Sequence, residues 1–437
     1  MTNKKIFFEK SSKFVPKTIS KNLYYFNYDK ISSDLFLSQS KLQSLQEHRL
    51  YKILRKAAKL PYYRDFNCDP TNLKSFPVLT KKVFINKHEE FTIKNILNVK
   101  TATSGSSGEP FIFYRHINDI RKERLYVLRN FMRYGYSPGD QIGALRSFIP
   151  RGNEGTIKKT SLQNITWFSA YHSDDINFKK YIRFISDNKI KFMFSYPSSF
   201  YLFARYCLSN SIDIPDLKVV FLSSEKMLKE WHSTISLAFP NIEVIDRYGT
   251  AELLNSFTYC SKCGGYHINE DYGYTELKPI RGSEKKHEII GTGFLNSSFP
   301  MVRYNMKDIF RLDQIIESKC DYGSKVYLGE IEGRTSDFIF ADGKFLPGVN
   351  FYTLFHHFEK FIKQFQIIQE SENLLIIKLV IENKRYKSQD IEKRLDYELR
   401  LRVGSNINLK YEYTDYIKRD SHSGKYKKII SNIKRTN

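Results

Sequence analysis

The sequence predicts an α/β protein with a large N-terminal α/β domain behind a helical lead-in, followed by a small α+β domain. Helical patterns alternate with short β-rich runs to about residue 335, the rhythm of βα units on a largely parallel sheet. After about residue 338 the texture changes to a compact set of long strands and two helices. The chain of 437 residues is also too long for one ordinary core.

Each element follows from its pattern. Over residues 40–60, Leu45, Leu50, Ile53, Leu54, Ala57 and Leu60 recur at helical spacing and predict an amphipathic helix, part of a lead-in over 1–95. The runs NILNVKTA and PFIFYR look extended. Helical FKKYIRFISDN, SSFYLFARYCLSN and LKEWHSTISLAF then alternate with strand-like KFMFSY, KVVFLSS and NIEVIDRYG. Beyond the change in texture come a helix (NFYTLFHHFEKFI), strands QFQIIQE and LLIIKLVIE, a helix (SQDIEKRLDYELRLRVG), the strand INLKYEYT and a tail, RDSHSGKYKKII. The expected division is 1–336 and 337–437, with the boundary between Gly333 and Phe338.

An apolar fraction of 41% fits a globular protein. No stretch is long and apolar enough for a signal peptide or a membrane span, so a cytoplasmic protein is expected. Five cysteines, an odd count, argue against a disulfide framework. The formal charge of +23 is spread along the whole chain and reads as solvated surface or attraction to an anionic membrane or glycan. No nucleic-acid-binding signature accompanies it, so a nucleic-acid partner is not expected.

The stretch TSGSSGEPFIFYR begins at Thr103. A Walker loop opens a helix and ends in Gly-Lys-Ser/Thr, and a dinucleotide fingerprint also needs a following helix. Here the flanks are extended and the lysine is missing. What remains is either a Ser/Gly hairpin turn or a cradle of amides and hydroxyls for an anion, built from Thr103, Ser104, Gly105, Ser106, Ser107 and Gly108.

Five further islands follow in order: SSEKM from Ser223, DRYGTAE from Asp246, FPMVRYNMKD from Phe299, EGRTSD from Glu332 and SGKYKK from Ser423. With LYKILRKAAKLPYYRDF, FPVLTKKVF, GGYHINEDYGYTEL and GFLNSSFPMVRYNMKD, this ordered set resembles the adenylate-forming superfamily. Within it the chain is most similar to the phenylacetate-CoA ligase and CapK-like branch, over nearly its whole length.

The resemblance implies a large adenylate-forming domain and a small mobile carboxyl-terminal one. It implies ATP and Mg2+ as cofactors and a small-molecule carboxylic acid as substrate. An acyl-adenylate forms with release of pyrophosphate, and the acyl group then passes to coenzyme A or to an amine or hydroxyl acceptor. In the CapK-like case that acceptor belongs to surface-polysaccharide synthesis. The Thr103–Gly108 loop would hold the outer phosphates, although Glu109 stands where many members have lysine. Ser223, Ser224 and Glu225 correspond to the adenine-contacting stretch, and Tyr248 beside Gly249 would stack on the base. Thr250 would reach the α-phosphate and Glu252 would ligate magnesium. Standing alone, YGTAE reads equally as a strand-to-helix turn with Glu252 in the first turn.

Asp308 would accept hydrogen bonds from the ribose, although Met306 and Lys307 replace the usual small residue and glycine. Arg334 would contact ribose or phosphate, and Asp337 matches the hinge or is a simple turn residue. Lys425 would bridge the acyl carboxylate and the α-phosphate, with Lys427 and Lys428 as alternatives. The acyl pocket falls near Ser195, Tyr196 and Pro197 with Trp167 upstream. Arg146 and His172 are polar residues able to meet an acidic or sugar-bearing acid. Separately, the spacing C-x2-C-x3-H of Cys260, Cys263 and His267, with the distant Cys320, supplies a donor set suited to structural zinc; buried free thiols are the other reading. A different class, a basic binding protein for an anionic glycan or membrane with a degenerate nucleotide site, fits the charge, Glu109 and the Met306-Lys307 pair.

Overall fold

The computed structural model describes residues 23–102, 111–150, 154–160, 164–225, 227–280, 283–331, 338–341, 344–347, 351, 354–355, 357–358, 361–381, 388–417 and 428–433. The lead-in is helical, with α1 (Gln39–Ala57) and short turns such as Lys81–Asn86. Strands β1 (Asn98–Ala102) and β2 (Ile112–His116) pair antiparallel with Ala102 opposite Ile112, so the Thr103 loop does join two strands. Helix α2 (Ile117–Leu128) follows directly, its first turn capped by His116, whose Nδ1 accepts from the Asn118 amide at 3.2 Å.

The body is one sheet of twelve strands. Its parallel half contains β3 (Ile142–Arg146), β5 (Ile165–Ser169), β6 (Phe192–Ser195), β7 (Val219–Ser223) and β8 (Glu243–Gly249), with β4 (Ile157–Thr160) antiparallel on the edge. Crossovers run through α3 (Asp175–Asp187), α4 (Pro197–Ser209) and α5 (Lys229–Ala238). The central strands β6 and β7 are apolar up to their last residue because both faces are covered. Phe178, Phe200, Phe203 and Ile235 of α3 to α5 pack on one face. Leu125 and Leu128 of α2, with Phe131, meet Ala144, Phe194, Phe221 and Ile245 on the other.

The expectation of a largely parallel sheet fails in the second half. Strands β9 (Ser256–Cys260), β10 (Gly265–Ile268), β11 (Gly273–Pro279), β12 (Lys286–Gly293), β13 (Tyr304–Ile316) and β14 (Val326–Ile331) all pair antiparallel. The connection from Cys260 to Gly265 is a tight turn with Gly264 at φ 71°, too short for a crossover helix. This half packs on the lead-in: Phe84, Phe91, Phe111 and Phe113 surround Phe299 and Tyr304. The Pro-x-Leu-Thr-Lys turn docks here too, Leu79 exchanging backbone bonds with Arg303 at 3.0 Å and Asn305 at 2.8 Å.

The carboxyl-terminal residues have a core of their own, running from Ile339 and Leu346 to Leu379, Leu395 and Ile429. Strands β15 (Phe338–Ala341) and β16 (Lys344–Pro347) form a hairpin. A four-stranded sheet is built from β17 (Ile362–Ser371), β18 (Leu374–Ile381), β19 (Asn408–Tyr413) and β20 (Ile429–Ser431), with helix α6 (Ser388–Val403). β17, β18, β19 and α6 are the strands and second helix read from the sequence, whereas β20 lies where a tail was expected and pairs parallel with β17. Arg402 of α6 lies over the Tyr171 ring at 5.1 Å, tying this unit to the large sheet. Among the described residues no helix is long and apolar enough to cross a membrane.

Candidate functional site

The parallel strands end together, and their carboxyl ends carry Arg146 (β3), Ser195 (β6), Ser223 (β7) and Gly249 (β8). Such an edge is where ligands of open α/β sheets bind. Arg146 organises it. Its Nη2 donates to Ser223 Oγ at 2.5 Å and to the Ser195 carbonyl at 3.3 Å, and its guanidinium lies 4.6 Å over the Tyr196 ring. Burial pulls its pKa below the ordinary arginine value.

Of the three residues expected at the adenine, Ser223 is engaged by Arg146, and Ser224 adopts φ 79°, a strained value for a side-chain-bearing residue. Glu225 turns back, its Oε2 accepting from the Ser198 amide at the N-terminus of α4 at 3.2 Å, while Oε1 is buried with no partner. Burial pushes its pKa from 4.5 up to about 7, partly offset by Ser198. A raised carboxyl favours the folded state below about pH 4.5, and that advantage is lost as the pH rises through about 7. Asp246, held by Tyr266 at 3.0 Å, behaves likewise, but its window closes at about 6. Melting temperature is therefore expected to fall between about pH 4.5 and 7, from the ordinary to the raised Glu225 value. Glu225→Gln should flatten most of that fall and melt higher than the wild type at pH 8, and an unchanged slope would refute the assignment.

Tyr248 and Asp308 come together although 60 residues separate them: the Tyr248 hydroxyl donates to Asp308 Oδ2 at 2.7 Å. The two unusual residues before Asp308 are accommodated. Met306 is buried in the aromatic core. Lys307 takes φ 63°, held by a bond from its amide to Asn305 Oδ1 at 2.9 Å and by an ion pair with Glu288 at 2.8 Å. The residues after Gly249 form a turn into β9, so the first-turn reading of Glu252 falls, because no helix follows. Thr250 Oγ1 is buried with no partner, and the Glu252 carbonyl accepts from Asn296 Nδ2.

Around the expected acyl pocket, Ser195 Oγ is satisfied by the Leu145 and Tyr196 carbonyls at 3.1 and 3.0 Å. Tyr196 bonds Ser147 at 3.0 Å, and Pro197 opens α4. Trp167 is half-buried beside Ala144, and His172 Nδ1 lies 2.8 Å from Ser169 Oγ. Lys428 is buried over the Phe365 ring at 4.8 Å, and burial lowers its pKa to about 7. Thr103, Ser104, Gly105, Ser106, Ser107, Gly108, Glu109, Arg334, Asp337, Lys425 and Lys427 lie outside the described residues. The sequence reading missed Arg115, Arg124 and Arg247; the available signal was arginine within or beside apolar runs.

A second constellation lies on the antiparallel half. One donor atom each from Cys260, Cys263, His267 and Cys320 falls within 4.8 Å of the others. His267 Nδ1 faces the Ser324 carbonyl at 3.1 Å, which fixes its proton there and leaves Nε2, 3.4 Å from Cys320 Sγ, as a lone-pair donor. Burial holds the imidazole neutral, lowering its pKa to about 4. Three sulfurs and one neutral nitrogen in this closed arrangement fit tetrahedral zinc.

Comparison with known proteins agrees with this fold. Residues 338–432 match the CapK C-terminal domain model. Protein CapK of Staphylococcus aureus is 28% identical over 372 residues, covering 83% of this chain and 81% of that one. A crystal structure of 2-hydroxyisobutyryl-CoA ligase with 2-HIB-AMP and CoA in the thioesterification state superposes with a TM-score of 0.59 at 16% identity, covering 91% of each chain. The same ligase in its postadenylation state with R3-HIB-AMP gives 0.55 at 16% identity, over 92% of this chain and 91% of that one. The fold is shared over nearly the whole length.

Proposed function

From a chain that carries a CapK C-terminal domain and has the fold of the adenylate-forming ligases, we propose an ATP-dependent, AMP-forming ligase that activates a carboxylic acid. The observation that carries this reading is the Tyr248–Asp308 bond of 2.7 Å, which joins two distant islands at the carboxyl edge of the parallel strands. Beside it lies the buried, unpartnered Thr250 hydroxyl. A carboxylate oxygen attacks the α-phosphorus of ATP, the bond to the pyrophosphate oxygen breaks, and an acyl-adenylate forms. An acceptor nucleophile then attacks the acyl carbon and AMP leaves.

In this reading Asp308 holds the ribose, Tyr248 the base and Thr250 the α-phosphate, while Thr103 to Gly108 cradle the outer phosphates. Glu252 would hold magnesium, which would supply charge neutralisation on the phosphates. Lys425 neutralises the charge that develops at the α-phosphate and withdraws as the 337–437 domain turns about Asp337. The likeness to the CoA ligase supports coenzyme A as acceptor. The resemblance to the CapK-like branch supports an amine or hydroxyl on a sugar.

The deciding experiment is pyrophosphate release from ATP–magnesium with a panel of aryl, aliphatic, uronic and amino acids. At least one acid should give release, Lys425→Ala should abolish it, and silence across the panel overturns the proposal. Omitting coenzyme A then separates the two acceptors.

We further propose that Cys260, Cys263, His267 and Cys320 hold one structural zinc. Elemental analysis of purified protein should find about one zinc per chain, the stoichiometry of a closed four-ligand site. Cys320→Ser should lose most of it and lower the melting temperature. Protein that stays metal-free after zinc loading would refute this.

A further inference from the structure

Several arginines gather on one face of the parallel strands at the proposed site. Side chains alternate along a strand, so Arg146, Ser223 and Arg247 share the face of Ala144, Phe221 and Ile245, the face that α2 covers. Arg247 is in register with Ser223, whose hydroxyl is 2.5 Å from Arg146 Nη2. Arg124 of α2 reaches the same face, its guanidinium 4.6 Å over the Phe194 ring. Arg115 on β2 approaches from the hairpin side, and both it and Arg247 act on the buried Tyr272 hydroxyl.

These cations are short of anions. Among the described residues, Arg247 has Glu123 at 3.8 Å as its carboxylate, and Arg146 donates to the neutral oxygens of Ser195, Ser223 and Ser224. Nε of Arg115, Arg124 and Arg146, and Nη2 of Arg115, are buried with no partner. Glu225, a carboxyl that acts on Arg146, is itself driven toward its neutral form by burial. Burial together with Arg124 and Arg247 lowers the pKa of Arg146. Desolvated guanidinium groups in excess are costly unless an oxyanion completes them, and their paired N–H groups match carboxylate and phosphate oxygens.

We propose that this cluster selects the acid, so that the carboxylic acid activated here carries a second anionic group, held by Arg124 and Arg146 while the first carboxylate reacts. This inference rests on the ligase reading and names its substrate class. It places the second anion on the acyl side, where Arg146 caps Tyr196 while also bonding Ser223 of the adenine stretch.

The test compares acids matched in length, using the full chain with ATP and magnesium: butyrate against succinate, valerate against glutarate, and glycolate against phosphoglycolate. The first two pairs report a second carboxylate and the third a phosphate. The dianionic member of at least one pair should exceed its partner in kcat/KM by about a hundredfold, the worth of one or two charged hydrogen bonds. Arg124→Gln and Arg146→Gln should each raise KM for that acid about tenfold or more, and Arg124→Gln should leave ATP–magnesium affinity by calorimetry unchanged within about twofold. Equal or better turnover of the monoacids overturns the inference and leaves the ligase reading standing. So does a loss of ATP affinity in Arg124→Gln, which would assign the cluster to phosphate. Release with none of the six acids overturns the inference, and failure to bind ATP–magnesium at all overturns the ligase reading with it.

Discussion

Asp308→Ala is expected to raise the ATP concentration for half-maximal pyrophosphate release by about a hundredfold or more, because two hydrogen bonds to a charged group are worth about 3–6 kcal/mol together. The carboxylate is 9% exposed, positioned by Tyr248 at 2.7 Å, and carried on the first residues of β13. It binds substrate and transition state alike, so KM should move and kcat should change little. Asp308→Asn keeps the shape and should fall between wild type and alanine. Tyr248→Phe removes the positioning hydroxyl but keeps the ring, and should cost about tenfold, the low end of one such bond. If Asp308→Ala binds ATP within about threefold of wild type, less than a single charged bond provides, the proposed nucleotide site is wrong.

Arg129→Ala should cost about 3–5 kcal/mol of stability, the penalty for stranding a buried charge. Arg129 is 1% exposed and Asp271 2%. The guanidinium makes two parallel bonds to the carboxylate, at 2.5 and 2.9 Å, and a third to the Ile31 carbonyl at 3.0 Å. Its face lies 4.6 Å over the Tyr126 ring. Asp271 also meets Arg49 at 3.7 Å, and Arg49 in turn holds Asp34 at 2.8 Å. The chain thereby ties the lead-in and the residues after α2 to the turn between β10 and β11. Arg129→Lys keeps the charge without the fork and should recover part of the loss. Replacing both partners, Arg129→Met with Asp271→Leu, should recover most of it, since no unpaired charge remains. The urea midpoint measures all three; a single alanine variant within about 1 kcal/mol of wild type would show the pair to be a weak surface-like contact.

Much of the architecture was legible locally. Apolar runs four or five residues long between amphipathic helices gave the βα half, because a strand covered on both faces must be apolar on both. The extended flanks of the Thr103 loop read as two strands, which β1 and β2 bear out by pairing antiparallel. The antiparallel half was not legible. Alternating strands state which face is buried but not which strand lies beside them, and the tight Cys260 to Gly265 turn decides that geometrically. The fit of Lys307 at φ 63° was equally hidden, since it depends on Asn305 and Glu288 meeting it there.

The sequence by itself determined the order of the chemical islands, the donor types at Cys260, Cys263, His267 and Cys320, and the layered α/β class. Only the tertiary structure decided that Tyr248 meets Asp308, that Arg124, Arg146 and Arg247 converge, and that Arg129 buries its charge against Asp271. The reason is physical. Local patterning is set by backbone period and solvent, whereas the pairing of polar groups far apart in the chain is set by which strand ends and helix faces the folded core brings within hydrogen-bond reach.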